Sequence, residues 1–305
     1  MKKIISISLL VAMIAAIWYL FIKEYDYQFR FKAKYGPATV YQEILNWENF
    51  TQTEDHKNIK VISKEPFSGI LQQVKLNNKN TLLIEWEFEY INDSVTQVLV
   101  NTLQKENKFK NRFEILNPFK KSSHLTKLKE NFSAFNKMLN ARQEAYKITI
   151  SDTATSSALD CACITSKATV ENKANAMVAT VGTIESYLLD NDLKLQGSPL
   201  LKVTKWNIDK NEIVFDFCFP IHFNSSLKET GEIQLKHLQS TKSLFAVFNG
   251  NYRQSHLAWL DLYEKARREN IAINPLPLEI YFDNPMNGME SAEWRADIYM
   301  PLSVQ

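Results

Sequence analysis

Two stretches of the chain read alike: SPLLKVTKW, residues 198–206, and LPLEIYFDNP, residues 276–285. Each carries a Pro-Leu pair, Pro199-Leu200 and Pro277-Leu278, and then alternates like a strand. The same elements surround both. In the first half a strand-like run, LDCACITSKA (159–168), leads into the helical ENKANAMVATVGTIESYLLDND (171–192). Residues 198–206 and EIVFDFCFPI (212–221) then make a hairpin. In the second half STKSLFAVFNG (240–250) leads into NYRQSHLAWLDLYEKARREN (251–270), and residues 276–285 pair with EWRADIYMPL (293–302). The closing tripeptides match too, Phe219-Pro220-Ile221 against Met300-Pro301-Leu302. The order predicts an α+β domain built from a duplicated β-α-β-β unit. Its two halves pack with pseudo-twofold symmetry, leaving a central groove with one helix from each half beneath it.

The duplication also singles out residues for chemistry. Aligned on the Pro-Leu pairs, Glu279 falls on Leu201 and Tyr281 on Val203. If that strand face were solvated, the first half would expose two apolar side chains. If it is interior, Glu279 is a single charge in an apolar and aromatic setting, and one geometry serves both halves. A buried carboxylate is costly without compensation. A cationic ligand, a tyrosine hydrogen bond or protonation could each supply it. An acid within an aromatic lining suits an organic cation, and it also suits a general base; the residues leave both open. Trp206, at the end of the first hairpin strand, and Tyr252, at the start of the second helix, are further candidates for the lining. So are Phe217 and Phe219, which alternate with Asp216 and Cys218, so the face they share is open. Trp259 lies on a helical stripe with Leu262 and reads as core, and His256 reads as a surface or capping histidine.

Residues 157–302 resemble the GyrI-like (AraC-type) effector-binding domain. The resemblance rests on Gly250-x-Tyr252 opening the second helix, on Glu279-x-Tyr281 within PLEIYFDNP, and on the terminal ADIYMPL. It implies that Glu279, with Tyr281, lies in a central pocket for hydrophobic, often cationic, small molecules. Regulators of that family join the domain to a helix-turn-helix DNA reader. None is read here, so no nucleic-acid partner is expected. The family also includes stand-alone binding proteins and hydrolases. The expected function is therefore small-molecule binding or sensing, with hydrolysis by Glu279 as general base and Tyr281 as its orienting group as the alternative. No cofactor or metal is implied.

Upstream, MKKIISISLLVAMIAAIWYLFIKEYD opens with two lysines, and residues 4–22 then carry no charge. A helix of that length reaches ~30 Å, the thickness of a hydrocarbon core. Trp18 and Tyr19 stand near its far end, where an interfacial aromatic belt belongs. The run ends in bulky residues rather than a small-x-small cleavage site, so residues 1–24 read as an uncleaved single-pass anchor. Lys2 and Lys3 favour an inside N-terminus and place the bulk of the chain on the periplasmic or extracytoplasmic side, while Lys23, Arg30, Lys32 and Lys34 pull the other way.

Residues 25–150 read as a separate domain. YDYQFRFKAKY alternates Tyr25, Tyr27, Phe29 and Phe31 against polar neighbours, and GPATVYQEILNWENF follows with Val40, Ile44 and Trp47 at helical spacing. A run of strands comes next. A long amphipathic helix over 117–147 closes the unit, with Leu125, Leu128, Phe132, Phe135 and Leu139 on one stripe. In IEWEFEY, Trp86, Phe88 and Tyr90 should face that helix and Glu85, Glu87 and Glu89 the solvent, since three aligned carboxylates would repel one another in a dry cavity. The element order, with GPATVYQEILNWENF after the first strand, weakly resembles the SRPBCC (polyketide-cyclase-like, helix-grip) superfamily over about residues 25–147.

SDTATSSALD, residues 151–160, reads as a linker, and residues 157–305 as the second domain. A net charge of +2 carries no field strong enough to call for nucleic acid. Three cysteines, Cys161, Cys163 and Cys218, make no disulfide framework and read as small buried apolar groups.

Overall fold

The computed structural model describes residues 2–47, 59–77, 80–104, 106, 112, 123–142, 145–208, 210–224 and 227–303. They belong to two compact units, Met1–Asn140 and Ala141–Gln305.

In the first unit the N-terminal apolar segment is a 16-residue helix, α1 (Lys2–Ile17), that continues as a π-helical turn over Trp18–Ile22. Among the described residues no helix is long and apolar enough to cross a membrane, so the spanning anchor expected over residues 4–22 is not borne out. The regular α-helix stops at Ile17, short of the length that a crossing needs. The side chains of Ile7, Leu9, Leu10, Val11, Ile14, Trp18 and Phe21 are nevertheless all exposed.

The strands β1 (Tyr27–Ala33), β2 (Ile59–Glu65), β3 (Gly69–Asn77), β4 (Asn80–Asn92) and β5 (Val95–Gln104) form an antiparallel sheet in the order β1-β5-β4-β3-β2. On β1, half-buried Tyr27, Phe29 and Phe31 alternate with exposed Gln28, Arg30 and Lys32, as the period-two pattern requires. Pro37 starts α2 (Pro37–Leu45), where its fixed φ suits the first helical position. The closing helix α3 (Ser123–Arg142) buries Leu128, Phe132, Phe135 and Leu139. Fully buried Trp86 meets Phe132 and Phe135 with ring centroids 5.5 and 5.8 Å apart, while Glu85 and Glu89 stay exposed. Residues 117–122 of the expected helix lie outside the described residues, and its last two, Tyr146 and Lys147, are strand.

The second unit is one eight-stranded sheet. Its strands are β6 (Tyr146–Thr155), β7 (Leu159–Thr169), β8 (Leu200–Asn207), β9 (Glu212–Pro220), β10 (Gln234–Leu238), β11 (Lys242–Gly250), β12 (Leu278–Tyr281) and β13 (Arg295–Pro301). The order is β10-β7-β9-β8-β12-β13-β11-β6. Its inner six strands read β7-β9-β8 and then β12-β13-β11, the mirror order that a two-fold axis between β8 and β12 demands. The helices α4 (Lys173–Asp190) and α5 (His256–Arg268) complete the two β-α-β-β halves. Equivalent backbone bonds recur across the axis. Val203 N–H donates to the Pro277 carbonyl and Tyr281 N–H to the Pro199 carbonyl, both at 2.9 Å. Isolated bridges join Leu195 to Ile221 in one half and Ile273 to Leu302 in the other.

Both outer strands depart from the sequence reading. Residues 151–160 are not a linker, because β6 runs through Thr155 and pairs with β11. The other edge strand, β10, is its counterpart: it precedes β11 as β6 precedes β7, and it pairs with β7 as β6 pairs with β11. Gly250 is held by the first of these additions. It stands opposite Tyr146 at φ +148°, and a Cβ there would lie 2.5 Å from the Tyr146 Cβ.

The cysteines also differ from expectation. Cys163 on β7 is the register partner of Cys218 on β9, and the two are disulfide-bonded with Cα atoms 4.1 Å apart. Cys161 is free and buried, and burial pushes its thiol up to about 12. Residue spacing along the chain carries no trace of a bridge that only strand pairing creates.

Candidate functional site

Strand register decides which side chains share a face. Glu279 is the cross-strand partner of Leu201, and Leu201 of Phe217. The two residues that the repeat equates thus meet across the axis, on one side of the sheet. Phe217 and Phe219 lie on that side, and Asp216 and Cys218 on the other.

Glu279 is fully buried, and it is not alone. Lys173, the first residue of α4, is fully buried as well and places its Nζ 3.0 Å from Glu279 Oε2. The ammonium also donates to the Tyr252 carbonyl at 2.9 Å and to Ser255 Oγ at 2.7 Å, so three N–H groups meet three acceptors. It lies over two aromatic faces, 5.5 Å from the Trp259 centroid and 5.8 Å from that of Tyr281. On the acid, Oε1 accepts from Ser255 Oγ at 2.8 Å, and Oε2 also accepts a short hydrogen bond from the Tyr281 hydroxyl.

The duplication explains how this cluster assembles. Each helix follows a short 3-10 turn, Val170–Asn172 before α4 and Tyr252–Gln254 before α5. Lys173 and Ser255 come immediately after those turns, in corresponding places, and both reach across to β12. Of the compensations open from the sequence, the tyrosine hydrogen bond is present, from Tyr281, and the structure adds a cation from the other half of the repeat, Lys173. Lys173 could have been found by aligning the two helix starts, because a cation in the first turn opposes the helix dipole and calls for a reason.

The electrostatics follow from dryness. Burial pulls Lys173 below the usual lysine value, with the Glu279 charge working against that. Burial, reinforced by Glu279, holds the Tyr281 phenol well above its ordinary value. His256 is buried rather than at the surface. It drops to about 3 because of burial first and the neighbouring Lys173 charge second. Its Nδ1 lies 3.1 Å from the Arg253 carbonyl.

The other candidates fall around this centre. The Tyr252 ring lies 4.8 Å from that of Tyr281. Its hydroxyl is occupied structurally, 2.9 Å from the Arg295 carbonyl and 3.0 Å from the Asp283 N–H. Trp206 reaches the cluster through Trp259, edge-on at 5.6 Å. Both indole N–H groups are buried with no acceptor among the described residues. Trp259, read from sequence as core, is thus both core and the wall against which the ammonium lies. Phe217 and Phe219 pack on each other at 5.5 Å, farther along the same face.

Residues 164–303 match the GyrI-like small molecule binding domain. No curated protein matches the chain. Among solved structures, the EcmrR C-terminal domain is 16% identical with a TM-score of 0.43, covering 52% of this chain and 99% of that one. EcmrR in its complex with DNA is 15% identical with a TM-score of 0.45, covering 64% and 71%. SAV2435 bound to tetraphenylphosphonium is 14% identical with a TM-score of 0.34, covering 52% and 93%. With its family match and its two β-α-β-β halves, the region 164–303 is a GyrI-like domain.

Proposed function

We propose that the GyrI-like domain binds a small organic cation on the helix-bearing face of its sheet, with Glu279 as the counter-charge. The observation that carries this is the Lys173 ammonium itself: it shows a cation held by the Glu279 carboxylate between the Trp259 and Tyr281 rings. An entering ligand would take the place of that ammonium. Lys173 stands in the first turn of α4, where its charge opposes the helix dipole, so its withdrawal to water is assisted. The two indole N–H groups, which have no acceptor among the described residues, favour a ligand that carries an acceptor beside its charge. The hydrolase alternative fits this geometry less well. Both Glu279 oxygens already accept hydrogen bonds, and a general base needs a lone pair open to water.

Titration calorimetry with tetraphenylphosphonium tests the proposal. Glu279→Gln should weaken binding more than tenfold, and Lys173→Ala, which vacates the ammonium's place, should strengthen it at least tenfold. Equal affinity in wild type and Glu279→Gln would sink the proposal.

A membrane location on the periplasmic or extracytoplasmic side is part of the same proposal. It is supported by the exposed apolar side chains between Ile7 and Ile22. It is also supported by the Cys163–Cys218 bridge, since disulfides persist in oxidising compartments. The full chain should sediment with the membrane fraction, with the bridge intact when free thiols are trapped at lysis. Release into the supernatant, or reduced Cys163 and Cys218, would count against it.

A further inference from the structure

The opposite face of the same sheet carries a second feature. Leu278 precedes Glu279 on β12 and so points away from the ion pair, toward its register partners Lys202 on β8 and Tyr299 on β13. These residues line a cavity of about 200 Å³, together with Ser243, Leu238 and His237.

Its charge is one-sided. No acidic side chain among the described residues lines it. Lys202 is half-buried and donates to the Leu276 carbonyl at 3.1 Å, which leaves two of its N–H groups to satisfy. Its cross-strand neighbour Asp216 is already engaged, with Oδ1 2.6 Å from Lys236 Nζ and 2.6 Å from Thr165 Oγ1. Burial lowers the Lys202 pKa. His237, at the rim, is held by Asp160 at 2.8 Å. A cation that is partly dehydrated and unpaired is a standing electrostatic cost.

Ser156, Gln239, Thr241 and Ser243 make one side of the wall polar, and Leu238, Leu278, Tyr299 and Pro301 make the other apolar. Leu278, Leu238 and Tyr299 continue into the cluster that contains Cys161, the Cys163–Cys218 bridge and Leu200. The Tyr299 ring is backed by Phe245 at 4.9 Å.

We infer that this cavity is a binding site for a small monocarboxylate with an apolar body, its carboxylate on Lys202 and its body against Leu238, Leu278 and Tyr299. One ammonium balances one negative charge. A phosphate would bring a surplus charge into a half-dry space with no second free cation among the described residues to meet it. The site is independent of the Glu279 cluster, since it lies on the other face of the sheet.

Benzoate, titrated into the full chain, serves as the probe. It should bind wild type and Lys202→Arg, raise the melting temperature of both, and bind Lys202→Met at least tenfold more weakly. Leu238→Trp fills the cavity without touching the charge, so it should lose binding too and covers the case in which Lys202→Met fails to fold. Absence of binding to wild type would overturn the inference, as would unchanged affinity in both Lys202→Met and Leu238→Trp. Tighter binding of inorganic phosphate than of benzoate would overturn the choice of ligand class.

Discussion

The two halves of the second sheet share one backbone plan and bury different chemistry at corresponding places. On the central strands the first half has Leu201 and Val203 where the second has Glu279 and Tyr281. At the helix starts the first half has Lys173 and the second Ser255. Neither half alone holds a balanced charge. The duplication supplied two copies of a dry position close to a two-fold axis, and a cation from one copy now answers an acid from the other. Symmetry created the meeting point, and divergence between the copies made it a site.

Forcing the halves back toward each other should have the largest effect. Leu201→Glu would place a second carboxylate directly opposite Glu279, with one buried lysine to serve both. Like charges facing each other in a dry interior exceed what the sheet can absorb. We expect the second unit to lose its cooperative unfolding transition, read by calorimetry and near-UV circular dichroism.

Next comes removal of one member of the pair. Lys173→Met or Glu279→Leu alone should cost about 3–5 kcal/mol, because the survivor is left buried and unpaired. The double variant, apolar at both places, should recover most of that loss. A double-mutant cycle in urea measures the coupling, and additive losses would show that the two charges do not depend on each other.

The smallest effect is one of pH. His256 is held neutral in the fold, at about 3 against an ordinary 6.5. Between those values the unfolded chain binds a proton that the folded chain does not. Its contribution to stability is therefore complete above pH 6.5 and is lost as the pH falls toward 3. The unfolding midpoint in urea should drop over that range, and His256→Asn should flatten the drop without abolishing it.

Much of the fold was legible beforehand. Period-two and helical patterning marked the inner strands and both helices, and the repeated Pro-Leu pairs placed Glu279 on an interior face. In the first unit the same patterning put Trp86, Phe88 and Tyr90 inside; Trp86 and Phe88 are buried, while Tyr90, near the end of β4, is exposed. The edge strands were harder to read. β10 is short and half-exposed, and β6 is rich in threonine and serine, so both look like loops. An edge strand has a neighbour on one side only and needs little apolar surface.

The sequence by itself determined the duplication, the α+β class and the interior place of Glu279, because each is carried by local spacing and by comparison of one half with the other. Only the tertiary structure decided what Glu279 meets. Lys173 lies 106 residues before it, and Cys163 lies 55 residues before Cys218. Strand order and register bring each pair together. Such contacts obey no period along the chain, and they exist only once the sheet has closed around its axis.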